Sequence, residues 1–256
     1  MGTISIPTLA SETIFQLGSF DVRNTMLMAW LAMLVLIVVS LSARMTGFKM
    51  IPGRFQCLIE MIVELLFNFF NTILQDEKET KKYFILPATI FLFLITANWM
   101  GILPGVGSVT VQHVVEGHTE TVPLLRSMNA DVNMTLVIAM IAMLTVQVIG
   151  ISAQGFSSYS SKYFVAPWKD PIGTFVGLLE FIGEFARIIS FTFRLFGNIF
   201  AGEVLLVVVG FLVPYIAPIP FLGLEIFVGF VQSLVFAVLT LVFLKMAVTS
   251  HTEHAT

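Results

Sequence analysis

The sequence predicts an all-α membrane protein. It should have five transmembrane crossings plus one amphipathic surface helix, with the last two helices forming a long inclined hairpin. Three observations lead there. Of 256 residues, 57% are hydrophobic and only 11% charged, against roughly 25% charged in an ordinary soluble domain. Apolar stretches recur at about the 20 residues that span a bilayer core about 30 Å thick. Near the C-terminus two apolar stretches exceed that length. The same counts exclude other classes. With 13 Lys and Arg against 16 Asp and Glu, the net charge is −3, so there is no basic face for nucleic acid. The single cysteine, Cys57, excludes an intrachain disulfide and an all-cysteine metal site.

Residues 1–24 read as an N-terminal extension outside the membrane, without the basic start of a secretory signal, because the first cation is Arg23. Residues 25–256 read as a single polytopic membrane domain. Thr25–Ala43 carries no charge and is the first span. Phe55–Leu74 differs: Glu60 and Glu64 stand at i,i+4, with Asn68 and Asn71 beyond, among Phe, Leu, Ile and Met. That pattern suits a helix lying in the membrane surface. Asp76–Lys82 reads as a solvated polar hinge. Phe84–Leu103 is the next span, ended by Leu103-Pro104-Gly105, and 105–130 reads as a polar loop. Val132–Ser152 follows, opened by Asn129-Ala130-Asp131, which offers capping side chains, and 154–170 reads as a loop. From Pro171 to Val213 nothing breaks the apolar sequence, and a helix of that length would measure roughly 64 Å. It must tilt, bend or run partly in the bilayer plane. A Pro-rich turn at 214–220 leads into a last helix, Phe221–Thr249, also too long to stand upright. Together they make the hairpin of about 171–249.

Cations set the orientation. With the surface helix lying flat, Arg44, Lys49, Arg54, Lys78, Lys81, Lys82, Lys162, Lys169 and Lys245 fall on one side, and Arg23 and Arg126 on the other. The N-terminus is therefore expected outside and the C-terminus inside.

The remaining cations, Arg187 and Arg194, lie inside the fifth crossing. Glu180, Glu184, Glu203 and Glu225 also sit within apolar helices. An ionised group at mid-membrane costs about 2.5–3.5 kcal/mol on insertion scales, so each is a functional candidate. At about 100° per residue, Glu180, Glu184, Arg187, Arg194 and Asn198 share one stripe, and Glu203 lies nearly opposite Arg194. Glu225 and Gln232, seven residues apart, share a face of the last helix. Glu184 and Arg187, at i,i+3, are placed to neutralise each other. Arg194 has no acid at i±3 or i±4, and its counter-charge must come from outside its own helix. Glu203 and Glu225 read either as proton-handling groups or as protonated acids bonded across the hairpin. Gly173-x-x-x-Gly177 permits close helix approach. His113 and His118 lack a fixed third ligand, and Asp131 and Asn133 read as a helix start. No phosphate-binding GxxxxGK[ST], HExxH or GxSxG motif occurs.

The segment Ser190–Leu205, SFTFRLFGNIFAGEVL, closely resembles the signature of subunit a of F-type ATP synthases. Pro87–Pro104, Ala130–Leu136 and Gly229–Leu244 resemble the same family, and the likeness runs from about Phe20 to the C-terminus. The resemblance implies a non-catalytic stator subunit of the membrane Fo sector that couples proton flow to rotation and ATP synthesis. It implies Arg194 as the essential arginine facing the carboxylates of the c-ring. Asn198 and Gln232 would flank that site. Glu203 would belong to the proton access path, and Glu225 would be a second titratable group of the same path. Glu180 and Ser190 would belong to the inner aqueous route. The partners implied are the c-ring, the peripheral-stalk b subunits, the F1 sector indirectly and the lipid bilayer, with no cofactor and no metal. The membrane implied is a bacterial plasma membrane, with an organelle's inner membrane as the alternative. H⁺ is preferred to Na⁺ as the coupling ion. The competing reading is a self-contained secondary transporter or channel, against which no paired repeat of broken helices is found.

Overall fold

The chain runs through helices whose ends gather at two poles. The computed structural model describes residues 11–17, 20–45, 52–107, 109–115, 118–163, 171–214 and 216–249. A short antiparallel pair, β1 (Thr13–Leu17) and β2 (Phe20–Arg23), leads directly into α1 (Asn24–Met45). Then come α2 (Arg54–Leu74), α3 (Glu77–Tyr83) and α4 (Ile85–Gly101). Three strands follow, β3 (Pro104–Gly107), β4 (Thr110–Val115) and β5 (His118–Pro123), then a single 3₁₀ turn at Met128–Ala130. The rest is helical: α5 (Val132–Gln154), α6 (Phe156–Tyr163), α7 (Pro171–Leu212) and α8 (Pro218–Val248).

Helix α8 is the hub, touching α2, α4, α5 and α7. Its buried stripe, which includes Gly229, Ser233, Phe236, Ala237 and Thr240, holds mostly small residues. Between helices in lipid no hydrophobic drive remains, and small side chains let backbones approach and gain dispersion contacts. Larger groups fill the gaps: Phe191 on α7 lies against Phe236 at 4.6 Å between ring centroids and against Phe243 at 5.7 Å.

Polar ties define the first pole. Asp131 caps α5 by accepting from the Asn133 amide at 2.9 Å, and its other oxygen accepts from Thr25 Oγ1 of α1 at 3.0 Å. The Asn98 amide on α4 donates to Gly229 O at 3.0 Å and Ser233 Oγ at 3.1 Å, and Asn98 Oδ1 accepts from Asn129 at 2.6 Å. At the second pole, Lys245 Nζ donates to Leu74 O at 2.8 Å, and Gln154 donates to Ala247 O at 2.9 Å. Gly155, at φ +84°, ends α5 with a backbone conformation that suits glycine and releases the chain into α6.

The protein is an all-α membrane protein: α1, α5, α7 and α8 are each long and apolar enough to span, and so is the bent pair α3 and α4. Helix α2 also meets the length and hydropathy requirement, so composition alone admits six crossings. The distribution of its side chains separates α2 from the others. Only Leu66, Phe70 and Leu74 bury, on one stripe, while Glu60 and Glu64 are exposed. Its C-terminus is tied to the second pole through Lys245, the same pole where α4 begins. An end at that pole, a single buried stripe and exposed acids fit a helix lying in the membrane surface.

Four expectations need correction. The 105–130 stretch is not an open loop: β4 and β5 pair in register from Thr110–Pro123 to Val115–His118. The 154–170 stretch contains α6. Residues 77–83 form a capped helix, with Asp76 accepting from the Lys78 and Glu79 amides, and the hinge is a 56° bend between α3 and α4. Part of the N-terminal extension is the β1–β2 pair. Lys49 and Lys169 lie outside the described residues.

Candidate functional site

Helix α7 has two contrasting faces. Its inner face buries Phe191, Thr192, Leu195, Phe196, Ile199 and Gly202 against the bundle. The opposite face carries Arg194, which is exposed. Its hydrogen bond goes from Nη2 to Ser190 Oγ at 3.2 Å, and among the described residues no carboxylate is within ion-pair range. Asn198, one turn on, is exposed beside it. Gly183, Ala186, Ser190, Gly197 and Ala201 share this face, with the larger exposed Val176, Leu179 and Leu205 along the same stripe. Side chains built at Gly183 and Gly197 would meet no atom of the chain within 4 Å. Around Arg194 the surface is therefore shallow, and its small residues permit close approach by another helix.

The second feature is a cavity of about 560 Å³ at the first pole, lined by Asn98, Arg126, Ser127, Glu203 and Glu225 with residues of β3. Glu225 is buried, 7% exposed, and lies so close to Gly202 that a Cβ there would overlap its carboxylate. Glycine at 202 is thus required by close approach rather than by backbone conformation. Glu203 projects into the same space, where Arg126 Nε donates to its two oxygens at 3.0 and 3.3 Å and Arg126 Nη2 donates to Oε2 at 3.2 Å. Among the described residues this ion pair stands where the alternative reading put a bond across the hairpin between Glu203 and Glu225. Arg126 was expected in a polar loop; it is 5% exposed. Nothing local marks it, because its partner is 77 residues away.

Towards the second pole lies a third cluster. Arg187 Nη1 donates to Glu184 Oε1 at 2.5 Å, so this pair does neutralise itself, and the guanidinium sits 4.6 Å from the centre of the Phe243 ring. Tyr163 of α6 donates to Glu184 at 3.5 Å, and Tyr159 donates to Gln147. Burial raises the Tyr163 phenol above its ordinary value, reinforced by Tyr159 and Glu184, so it stays a neutral donor. A cavity of about 250 Å³ opens between this cluster and α5. The sequence reading missed α6 and its tyrosines; their i,i+4 spacing within a Ser-rich stretch was the available signal.

The predicted residues are therefore divided. Glu203 and Glu225 meet in one cavity, while Ser190, Arg194 and Asn198 share the outer face of α7. Glu180 is partly buried on α7, and Gln232, partly buried on α8, does not line the cavity that Glu225 lines. Among the described residues no group of three His, Cys, Asp or Glu could hold a metal ion.

Comparison with known proteins decides the affiliation. Residues 26–245 match the ATP synthase A chain family. The chain belongs to that family. It is 33% identical over 252 residues to ATP synthase subunit a of Gloeobacter violaceus, covering 98% of this chain and 94% of that protein. It is 34% identical to ATP synthase subunit a of Desulfotalea psychrophila, over 88% of this chain and 83% of the relative. For the Campylobacter fetus protein of the same description the figures are 31%, 87% and 88%. Membership in the ATP synthase A chain family spans every helix from α1 to α8, and with it both faces of α7.

Proposed function

We propose that this chain is the proton-translocating stator subunit of a bacterial F-type ATP synthase, set in the plasma membrane with its N-terminus outside and α2 in the inner surface. One observation carries the reading: an always-charged guanidinium lies on an exposed face of an apolar helix, without an acid among the described residues, beside small residues that leave it open. A rotor helix bearing a carboxylate is the occupant this face is suited to, and the c-ring supplies it. As each ring carboxylate passes Arg194, the nearby cation favours its ionised form. In lipid, away from the cation, the same group must be protonated. Arg194 also interrupts a continuous proton wire, because guanidinium does not release its proton. Two offset half-channels then force protons to ride the ring. The cavity with Glu203 and Glu225 supports an outer route. Glu180, Ser190 and the space near Glu184 support an inner one, and Asn198 and Gln232 flank the crossing. Each proton falling through 100 mV delivers about 2.3 kcal/mol to rotation. The b subunits would anchor the chain, and the F1 sector would be coupled through the ring and stalk.

Arg194→Ala in the intact complex, reconstituted in liposomes, tests this. ATP-driven proton uptake should disappear while the ring still co-purifies. Uptake at the unaltered rate refutes the role. A transport activity of the isolated chain without any ring would favour a self-contained transporter instead.

A further inference from the structure

The two acids of the outer cavity are chemically unlike. Both oxygens of Glu203 are engaged by one guanidinium, through three N–H···O contacts of 3.0 to 3.3 Å. Glu225 makes no hydrogen bond to any described residue, and it faces the same cavity from α8. Their surroundings differ in freedom as well. Arg126 stands on a backbone held on both sides: the Gly107 amide donates to Leu125 O at 3.2 Å and the Leu124 amide to Val109 O at 2.8 Å. Three residues on, Asn129 is tied to Asn98 at 2.6 Å. The guanidinium is thereby aimed at Glu203. A bidentate arginine–carboxylate pair is among the strongest and most directional of charged hydrogen bonds. Releasing either partner of a largely buried pair leaves an uncompensated charge.

We propose that Arg126 is a positioning residue that fixes Glu203 as its counter-ion, so that Glu225, not Glu203, is the acid that exchanges protons in this cavity. The inference rests on the proton-path reading above and adds a division of labour to it. Glu225 takes a proton from the aqueous side, becomes a neutral carboxyl, and gives the proton up towards the ring carboxylate, returning to its anion. Glu203 keeps the cation in place, and the pair holds the β-strand region against α7 and the cavity open.

The test uses the whole complex in liposomes, with ATP-driven proton uptake measured and ring co-purification checked for every variant. Glu203→Gln and Arg126→Gln should each lower uptake about tenfold, since each breaks the ion pair that holds the cavity. The double variant Arg126→Gln/Glu203→Gln should recover to within about threefold of the parent, because paired sites are non-additive. Glu225→Gln should stay inactive whatever stands at 126 and 203. A second measurement does not depend on that double variant assembling. Glu225→His should displace the pH profile of uptake, because the titrating group at 225 changes from a carboxyl to an imidazole. Arg126→Gln/Glu203→His should leave the profile where it was. An inactive but assembled Arg126→Gln/Glu203→Gln, or a profile that follows the residue at 203, overturns the proposal. Absence of proton uptake by the unaltered complex would instead overturn the functional reading beneath it.

Discussion

Gly202→Ala is the smallest change that should strike the outer cavity. In a helix interior, alanine is ordinarily preferred to glycine by about 0.5–1 kcal/mol, so without a neighbour this substitution would stabilise α7. Here the added methyl would overlap the Glu225 carboxylate, and Glu225 is only 7% exposed. Either the acid rotates away or α7 and α8 separate. Overpacking of this kind costs about 1–3 kcal/mol. If that cost falls on the proton-exchanging geometry, uptake drops about 5- to 150-fold at roughly 1.4 kcal/mol per factor of ten. Shortening the acid should relieve the clash, so Gly202→Ala/Glu225→Asp should conduct better than Gly202→Ala alone. Gly223→Ala on α8, where a Cβ meets nothing within 4 Å, is the neutral control. The assay is ATP-driven acidification of proteoliposomes at matched protein density, with thermal unfolding in detergent alongside. Full-rate pumping by Gly202→Ala, with unchanged unfolding, would refute the claim that 202 and 225 compete for one volume.

Asn98→Ala removes two donated bonds and one accepted one at a buried junction; it should lower stability by about 1–3 kcal/mol, read as a lower unfolding temperature in detergent. Gly197→Leu fills open space beside Arg194, so the isolated chain should unfold as before while the ring fails to co-purify. Arg187→Gln strands Glu184, whose side chain is 15% exposed, and should destabilise by about 1–3 kcal/mol after discounting for partial exposure. Adding Glu184→Gln should restore most of that loss, as judged by the same unfolding measurement.

The long elements were legible because lipid imposes one requirement on them, a sufficient length of apolar helix. Thus α1, α5, α7 and α8 lie within a few residues of their expected bounds. The strands were not, because β4 and β5 are short and polar. Their signal was Thr and Val enrichment on both sides of Glu116-Gly117. Arg194 was legible through what its own helix lacks at i±3 and i±4, which is a local property. Arg126 was illegible for the opposite reason. Its meaning depends on Glu203, and only the folded arrangement of β3, the 3₁₀ turn and α7 brings the two together. Asn98 belongs with Arg126: one polar residue in a span reads as tolerable, and its three partners are scattered along the chain.

That scattering bears on how the protein is made. Asn98 emerges from the ribosome well before Asn129, and more than a hundred residues before Gly229 and Ser233, its other partners. During synthesis its carboxamide enters the bilayer with nothing to bind, and the junction closes only when the final segment has been inserted. A nascent chain stalled before that point would present an unsatisfied amide to lipid, a ready mark for membrane proteases that clear unfinished products.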